Sequence, residues 1–172
     1  MRCKLLLAVT GSLLATATMA AKAEQIGALL TGYEEVPSVS TTAHGEFTGT
    51  IAPGGDSISY SETYSGLQGS VTQSHIHVGQ SGVNGSIVIF LCQTQANADP
   101  TGQAPQCPSE GTVSGTITAA NVIAGSMAPQ QLSAGDFAAV VDAIRAGAAY
   151  ANVHSEPSPG GEIRGQIRGI GK

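Results

Sequence analysis

His75 and His77 stand one residue apart in the segment Val71-Thr72-Gln73-Ser74-His75-Ile76-His77-Val78-Gly79. Read as a strand, the segment puts both imidazoles on one face and Ile76 and Val78 on the other, because successive side chains alternate. The apolar pair claims the core, and two imidazoles side by side offer what a metal ion or an anionic ligand needs. Ala148-Ala149-Tyr150-Ala151-Asn152-Val153-His154 behaves in the same way, with Ala149, Ala151 and Val153 on a small apolar face and Tyr150, Asn152 and His154 opposite. In the last such stretch Ile163 and Ile167 point inward, which turns Glu162, Arg164, Gln166 and Arg168 outward. If these strands are neighbours, one polar surface gathers His75, His77, His154, Glu162 and Arg164.

Three neutral imidazoles suit copper or zinc, and among divalent ions the Irving–Williams order places copper highest. His75, His77 and His154 are therefore the candidate metal ligands. His44, beside the strand that begins at Gly45, is a candidate fourth ligand and otherwise a solvated loop residue. Tyr150, Asn152, Glu162 and Arg164 are the candidate ligand-binding residues, since an arginine on such a face recognises a carboxylate or sulfate through two parallel N–H bonds. The competing reading is structural. In it the histidines form a hydrogen-bond network that holds strands together, and Glu162 and Arg164 are an exposed cross-strand pair worth at most about 1 kcal/mol.

No nucleophile motif accompanies these residues. G-x-S-x-G, the P-loop, H-E-x-x-H and the Rossmann glycine fingerprint are all missing. Tyr33-Glu34-Glu35-Val36-Pro37 places two carboxylates together, but neighbours on an extended segment face opposite ways. We read them as a solvated turn entry rather than an acid/base pair. Asn84-Gly85-Ser86 has the form of a glycosylation sequon, usable only in a host that glycosylates exported proteins.

The elements that must position these residues are strands. Glycine, serine and threonine are abundant and aromatics few, the profile of an all-β antiparallel sandwich or barrel, superoxide-dismutase-like or immunoglobulin-like in kind. Three segments share the pattern G-x-(F/V/I)-x-G-x-I, at Gly45 to Ile51, Gly111 to Ile117 and Gly161 to Ile167. Each puts its large apolar residues on one face. Further strands are expected over Ile26 to Thr31, Ser57 to Tyr64, Val71 to Val78, Ser86 to Leu91 and Ala148 to His154, with a tight turn at Asn84-Gly85. One short helix is expected, capped by Ser133 with Asp136 three residues on, striped by Phe137, Val140, Val141 and Ile144, and ended by Gly147. Gln93 to Glu110 reads as a long surface loop.

The chain opens with Arg2 and Lys4, an apolar run from Leu5 to Ala15, and Ala21-Lys22-Ala23, a small-residue cleavage site. Residues 1–23 are expected to be a secretory signal peptide and 24–172 one β domain. The run is too short and too diluted by Thr and Ser to serve as a membrane anchor, and no later stretch is expected to span a bilayer. Cleavage would take three of the seven basic residues and none of the twelve acidic ones, leaving a net charge of −8. So acidic a domain repels phosphate backbones, and no nucleic-acid partner is expected. Cys3 leaves with the signal, and Cys92 and Cys107 are read as a disulfide in an oxidising compartment, closing a loop of about 15 residues worth roughly 3 kcal/mol. A Cys-x14-Cys pair with no histidine between is a poor zinc spacing.

Taken together, these stretches resemble the CHRD domain, the module named after chordin and also found singly in exported bacterial proteins. The resemblance rests on Tyr33-Glu34-Glu35-Val36-Pro37, Gly45-Glu46-Phe47, His75-Ile76-His77-Val78-Gly79 and Gly85-Ser86-Ile87-Val88. It closes on Tyr150-Ala151-Asn152-Val153-His154-Ser155 and Gly160-Gly161-Glu162-Ile163-Arg164-Gly165-Gln166, its most specific part. Ser155 stands where threonine is common in the family. The resemblance implies a β sandwich or barrel outside the cytoplasm, periplasmic, cell-surface or secreted. It does not imply chordin's growth-factor antagonism, because the cysteine-rich modules of that protein are missing here. His75-Ile76-His77 is also similar to the H-x-H copper strand of copper/zinc superoxide dismutases, though the bridging histidine and zinc aspartate of that site are not recognisable. The leading expectation is an exported, non-enzymatic module that binds an unknown protein or small ligand or serves structurally in the cell envelope. The alternative is a copper- or zinc-binding protein, redox-active in the manner of a dismutase, that uses the histidine cluster.

Overall fold

Alternation decides which residues fill the interior, and the three glycine-spaced segments show it directly. Phe47 and Ile51, Val113 and Ile117, and Ile163 and Ile167 are all buried. The computed structural model describes residues 21–171; the basic start and apolar run of the expected signal peptide, with Cys3, lie outside the described residues. Among the described residues nine strands follow in chain order: β1 (Glu24–Thr31), β2 (His44–Ile51), β3 (Ile58–Ser65), β4 (Val71–Val78), β5 (Ser86–Cys92), β6 (Gly111–Ile117), β7 (Ala149–Ser155), β8 (Ser158–Gln166) and β9 (Arg168–Gly169). The helix α1 (Phe137–Arg145) precedes β7.

The strands form one antiparallel sheet in the order β5-β4-β7-β8-β1-β2-β3-β6, with β9 added to β1. β8 and β9 run along β1 in a single register, Thr31 opposite Arg164 and Gly27 opposite Arg168. The sheet curls into a nearly closed, all-β antiparallel barrel with one short helix, as the sequence pattern predicts. Its two end strands, β5 and β6, do not pair. Tyr60 of β3 reaches towards β5, donating its hydroxyl to the Leu91 carbonyl at 2.6 Å.

Leu30, Phe47, Ile51, Ile58, Ile76, Val88, Ala151, Val153 and Ile163 meet in a shared core. Glu62 intrudes on it. It shares the inward face of β3 with Ile58, Tyr60 and Tyr64, accepts a hydrogen bond from Ser74, and has its carboxyl pushed up to about 8 by burial. A carboxyl so placed is held in its neutral form.

The helix differs from expectation at its start. Asp136, not Ser133, is the N-cap, its carboxylate accepting from the Ala139 backbone N–H at 3.1 Å. Phe137, Val140, Val141 and Ile144 form the buried stripe, packed on β4, β7 and β9, and Gly147 ends the element with φ +69°. The turn expected at Asn84-Gly85 falls earlier, where the Val83 N–H bonds the Gln80 carbonyl at 3.1 Å. Asn84 is free of the turn because its amide is used elsewhere. The Cys92–Cys107 disulfide forms and closes the expected loop, within which Asp99 accepts from the backbone N–H groups of Thr101, Gln103 and Ala104. Among the described residues no helix is long and apolar enough to cross a membrane.

Candidate metal centre

β4 and β7 are sheet neighbours in one register from Gln73 to Val78, so His75 faces Asn152, His77 faces Tyr150 and Gln73 faces His154. Alternation then puts His75, His77, Tyr150, Asn152 and His154 together on the face away from the main core. Ile76, Ala149, Ala151 and Val153 take the inner face as expected. β8 extends the row, with Arg164 opposite Asn152.

This outer face is not open to solvent. His75 is wholly buried, and His77 and His154 nearly so. Phe90 of β5 stands edge-on to His75 at 4.4 Å between ring centroids, and Tyr150 stacks on His77 at 4.6 Å with the rings 6° from parallel. One nitrogen from each of His75, His77 and His154 lies within 4.8 Å of the others.

The hydrogen bonds fix where the ring protons are. A carbonyl only accepts, so His77 donates from Nδ1 to Gly85 O at 2.9 Å and His154 donates from Nδ1 to Pro159 O at 2.9 Å. Both rings, neutral, are left with a bare Nε2. The Nε2 of His154 lies 3.1 Å from both His75 Nδ1 and Asn152 Oδ1; with the His154 proton on Nδ1, it accepts from His75 Nδ1, which leaves His75 Nε2 bare as well. The Nε2 atoms of His75 and His77 are buried with no hydrogen-bond partner. A backbone carbonyl on one ring nitrogen is how a metal-ligating histidine is oriented, with its other nitrogen aimed at the ion.

Neutrality is enforced. Burial drives the His75 ring down to about 2, helped by the charges of His154 and His77. Burial likewise takes His77 down to about 4 and lowers His154. All three are in the form that binds metal at neutral pH. An ion 2.0–2.1 Å from three nitrogens sets them about 3.5 Å apart, so the rings must close by roughly 1 Å.

Around the rings sits a polar brace. Arg164 is buried, with its Cζ 3.4 Å from the centroid of the Tyr150 ring. It donates to Val83 O at 2.8 Å, Asn84 Oδ1 at 3.2 Å and Gln80 O at 3.4 Å. Its donors are thus engaged by the loop between β4 and β5. Asn84 passes the link on, its Nδ2 donating to Val36 O at 3.0 Å, and the Gly85 N–H donates to the Tyr150 hydroxyl at 3.2 Å.

Glu162 does not join the histidines. Its carboxylate accepts from Thr41 Oγ1, the Gln68 N–H and Ser155 Oγ. A register shift between Val153 and Ser155, where β7 meets β8, accompanies its departure from the face of Arg164. His44 stands apart, exposed at the start of β2 and bonded to Thr42 O and Ser65 Oγ. Among the described residues no aspartate or glutamate oxygen belongs to the group of three imidazoles.

Glu35 corrects the reading of Tyr33 to Pro37. Glu34 is exposed, but Glu35 is buried against Asn152 and Gly161. Burial raises its carboxyl to about 7, against the opposing effects of Arg164 and the Asn152 hydrogen bond. Gly161 makes room for it: at φ +123°, a Cβ there would lie 2.3 Å from Glu35 Oε1. Alternation could not reveal Glu35, because the segment that carries it is a short 3-10 turn, Gly32–Glu34, with Glu35 as its C-cap.

No curated protein and no solved structure shows a significant match to the chain. The model of one family, described as the CHRD domain, matches residues 26–167, from the first strand of the barrel to the buried Ile167 that ends the last glycine-spaced segment. The motifs that supply the histidines, Asn152 and Arg164 all fall within that span, and the chain belongs to the CHRD domain family.

Proposed function

We propose that the protein is an exported, non-enzymatic CHRD module that holds one copper or zinc ion between His75, His77 and His154. The observation that carries this reading is the pair of buried, unpartnered ring nitrogens, His75 Nε2 and His77 Nε2. A buried polar atom without a partner costs about 1–3 kcal/mol, and an ion removes that cost at both. The carbonyls of Gly85 and Pro159 orient two of the rings for it. Burial of all three rings favours a held ion over an open substrate site. Export is supported by the signal-like residues 1–23 and by the Cys92–Cys107 disulfide, which belongs in an oxidising compartment. Tyr150, Asn152 and Arg164 serve the ion from outside its ligand set, and Glu162 braces the strands.

Metal analysis of purified protein tests the reading, followed by titration of metal-free protein with copper and zinc. One equivalent bound more tightly than micromolar is expected, lost in the combined variant His75→Ala, His77→Ala, His154→Ala. Absence of stoichiometric binding in the wild type would overturn it. Cell fractionation tests the address, with mature protein beginning at Glu24 expected outside the cytoplasm.

A further inference from the structure

The charges around the three imidazoles bear on which ion they would hold. No described carboxylate oxygen joins the cluster, so an ion held there keeps its full charge in a buried place. The Born cost of burying an ion grows with the square of its charge, roughly fourfold from monovalent to divalent. A second positive charge is built in beside the site. The Arg164 guanidinium lies 3.4 Å over Tyr150, and the Tyr150 ring stacks on His77 at 4.6 Å. That guanidinium bonds only neutral groups, the Gln80 and Val83 carbonyls and the Asn84 amide, and makes no ion pair with a described carboxylate. Glu35 interacts with that charge and is hydrogen-bonded by Asn152, and its carboxylate is not among the three grouped ligand residues.

Ligand number points the same way. Zinc in a structural site closes a tetrahedron of four ligands, and divalent copper favours a tetragonal set. Monovalent copper, with a filled d shell, is satisfied by three nitrogens in a plane. Here the rings of Phe90 and Tyr150 lie against His75 and His77, and the further donor beside the cluster is neutral, the Asn152 amide oxygen 3.1 Å from His154 Nε2.

Resting on the metal-binding reading above, we propose that His75, His77 and His154 select monovalent copper over divalent copper and zinc, and that the buried Arg164 is the positioning residue whose charge favours the reduced ion. Arg164 touches no ligand nitrogen in this arrangement; it acts through the Tyr150 ring and through the field it imposes.

The test uses full-length metal-free protein. Cu(I) is titrated anaerobically against a chromophoric Cu(I) chelator, and Cu(II) and Zn(II) are titrated separately against chelators of their own. The expected dissociation constant for Cu(I) lies about 100-fold or more below those for both divalent ions. Arg164→Met is expected to narrow that ratio by about tenfold and Arg164→Lys to preserve most of it, with circular dichroism establishing that each variant is folded. Divalent ions bound within tenfold of Cu(I) would overturn the selection while leaving a metal site. Failure of every ion to bind would overturn the metal reading itself. A folded Arg164→Met protein with an unchanged ratio would remove Arg164 from the account. The wild-type ratio requires no variant and decides the selection by itself.

Discussion

Gly161 sets how closely the β8 backbone approaches Glu35, and through Glu35 how Asn152 is held beside the histidines. Both its φ of +123° and the 2.3 Å approach to Glu35 Oε1 exclude a side chain. Gly161→Ala is therefore expected to destabilise the domain by about 2 kcal/mol or more, since a non-glycine residue in such a conformation alone costs of order 1–3 kcal/mol. A urea midpoint unchanged from wild type would contradict that. Glu62 poses the opposite problem, a residue that fits sterically but not electrically. Its carboxyl titrates near 4.5 when unfolded and near 8 when buried. Below the lower value it is protonated in both states. Between the two, only the unfolded chain has released its proton, so this group's contribution to stability falls as pH rises through the window and levels off above it. Glu62→Gln removes the dependence. Relative to wild type, the variant should gain stability between about pH 5 and pH 8.5, read from urea midpoints at both values. A constant difference across that range would show that Glu62 does not titrate as its burial requires.

At the scale of the element, Asp136 shows what a single cap contributes. Its side chain satisfies the Ala139 N–H at the start of a nine-residue helix. Asp136→Ala should cost about 1 kcal/mol, and Ser133→Ala almost nothing, a contrast that thermal denaturation resolves. The sequence pattern put the cap at Ser133 with Asp136 as its partner three residues on, and the cap moved to Asp136 because the preceding loop delivers the chain to the helix there. The strands were more legible. Period-two alternation in β4 and β7 located His75, His77, Tyr150, Asn152 and His154 on one face because the inner positions, Ile76, Ala149, Ala151 and Val153, had only the core to go to. What alternation could not supply was what covers that face. Glu35 and Asn84 arrive from loops, where no period constrains the side chain, and Phe90 arrives from β5, whose register against β4 shifts twice. Glu162 shows the same limit within a strand. Strict alternation pairs it with Arg164, but the shift beside Ser155 hands its carboxylate to Thr41, Gln68 and Ser155 instead. Bulges of this kind leave no pattern in a single sequence.

At the scale of the whole molecule, the barrel is least secured where β5 and β6 fail to pair, and the histidine cluster lies on the two strands next along from β5. An ion shared by His75, His77 and His154 would cross-link β4 to β7. Through the Gly85 and Pro159 carbonyls it would also stiffen the loop before β5 and the start of β8. Because the site exists only when these strands are assembled, ion binding adds to folding stability by mass action, about 2.7 kcal/mol at a free concentration one hundred times the dissociation constant. For a domain of this size that corresponds to a rise in Tm of roughly 5–10 °C. The rise should continue with the logarithm of ion concentration after the site is saturated, as linkage demands and simple surface association does not. Chelation should reverse it. Hydrogen exchange would locate the effect, with protection gained in β4, β7 and residues 79–85 and little changed in β2 and β3. A Tm that stays flat or falls as copper is added, in protein shown to be folded, would mean that the three imidazoles hold the strands together through their own hydrogen bonds and that the bare nitrogens are simply tolerated.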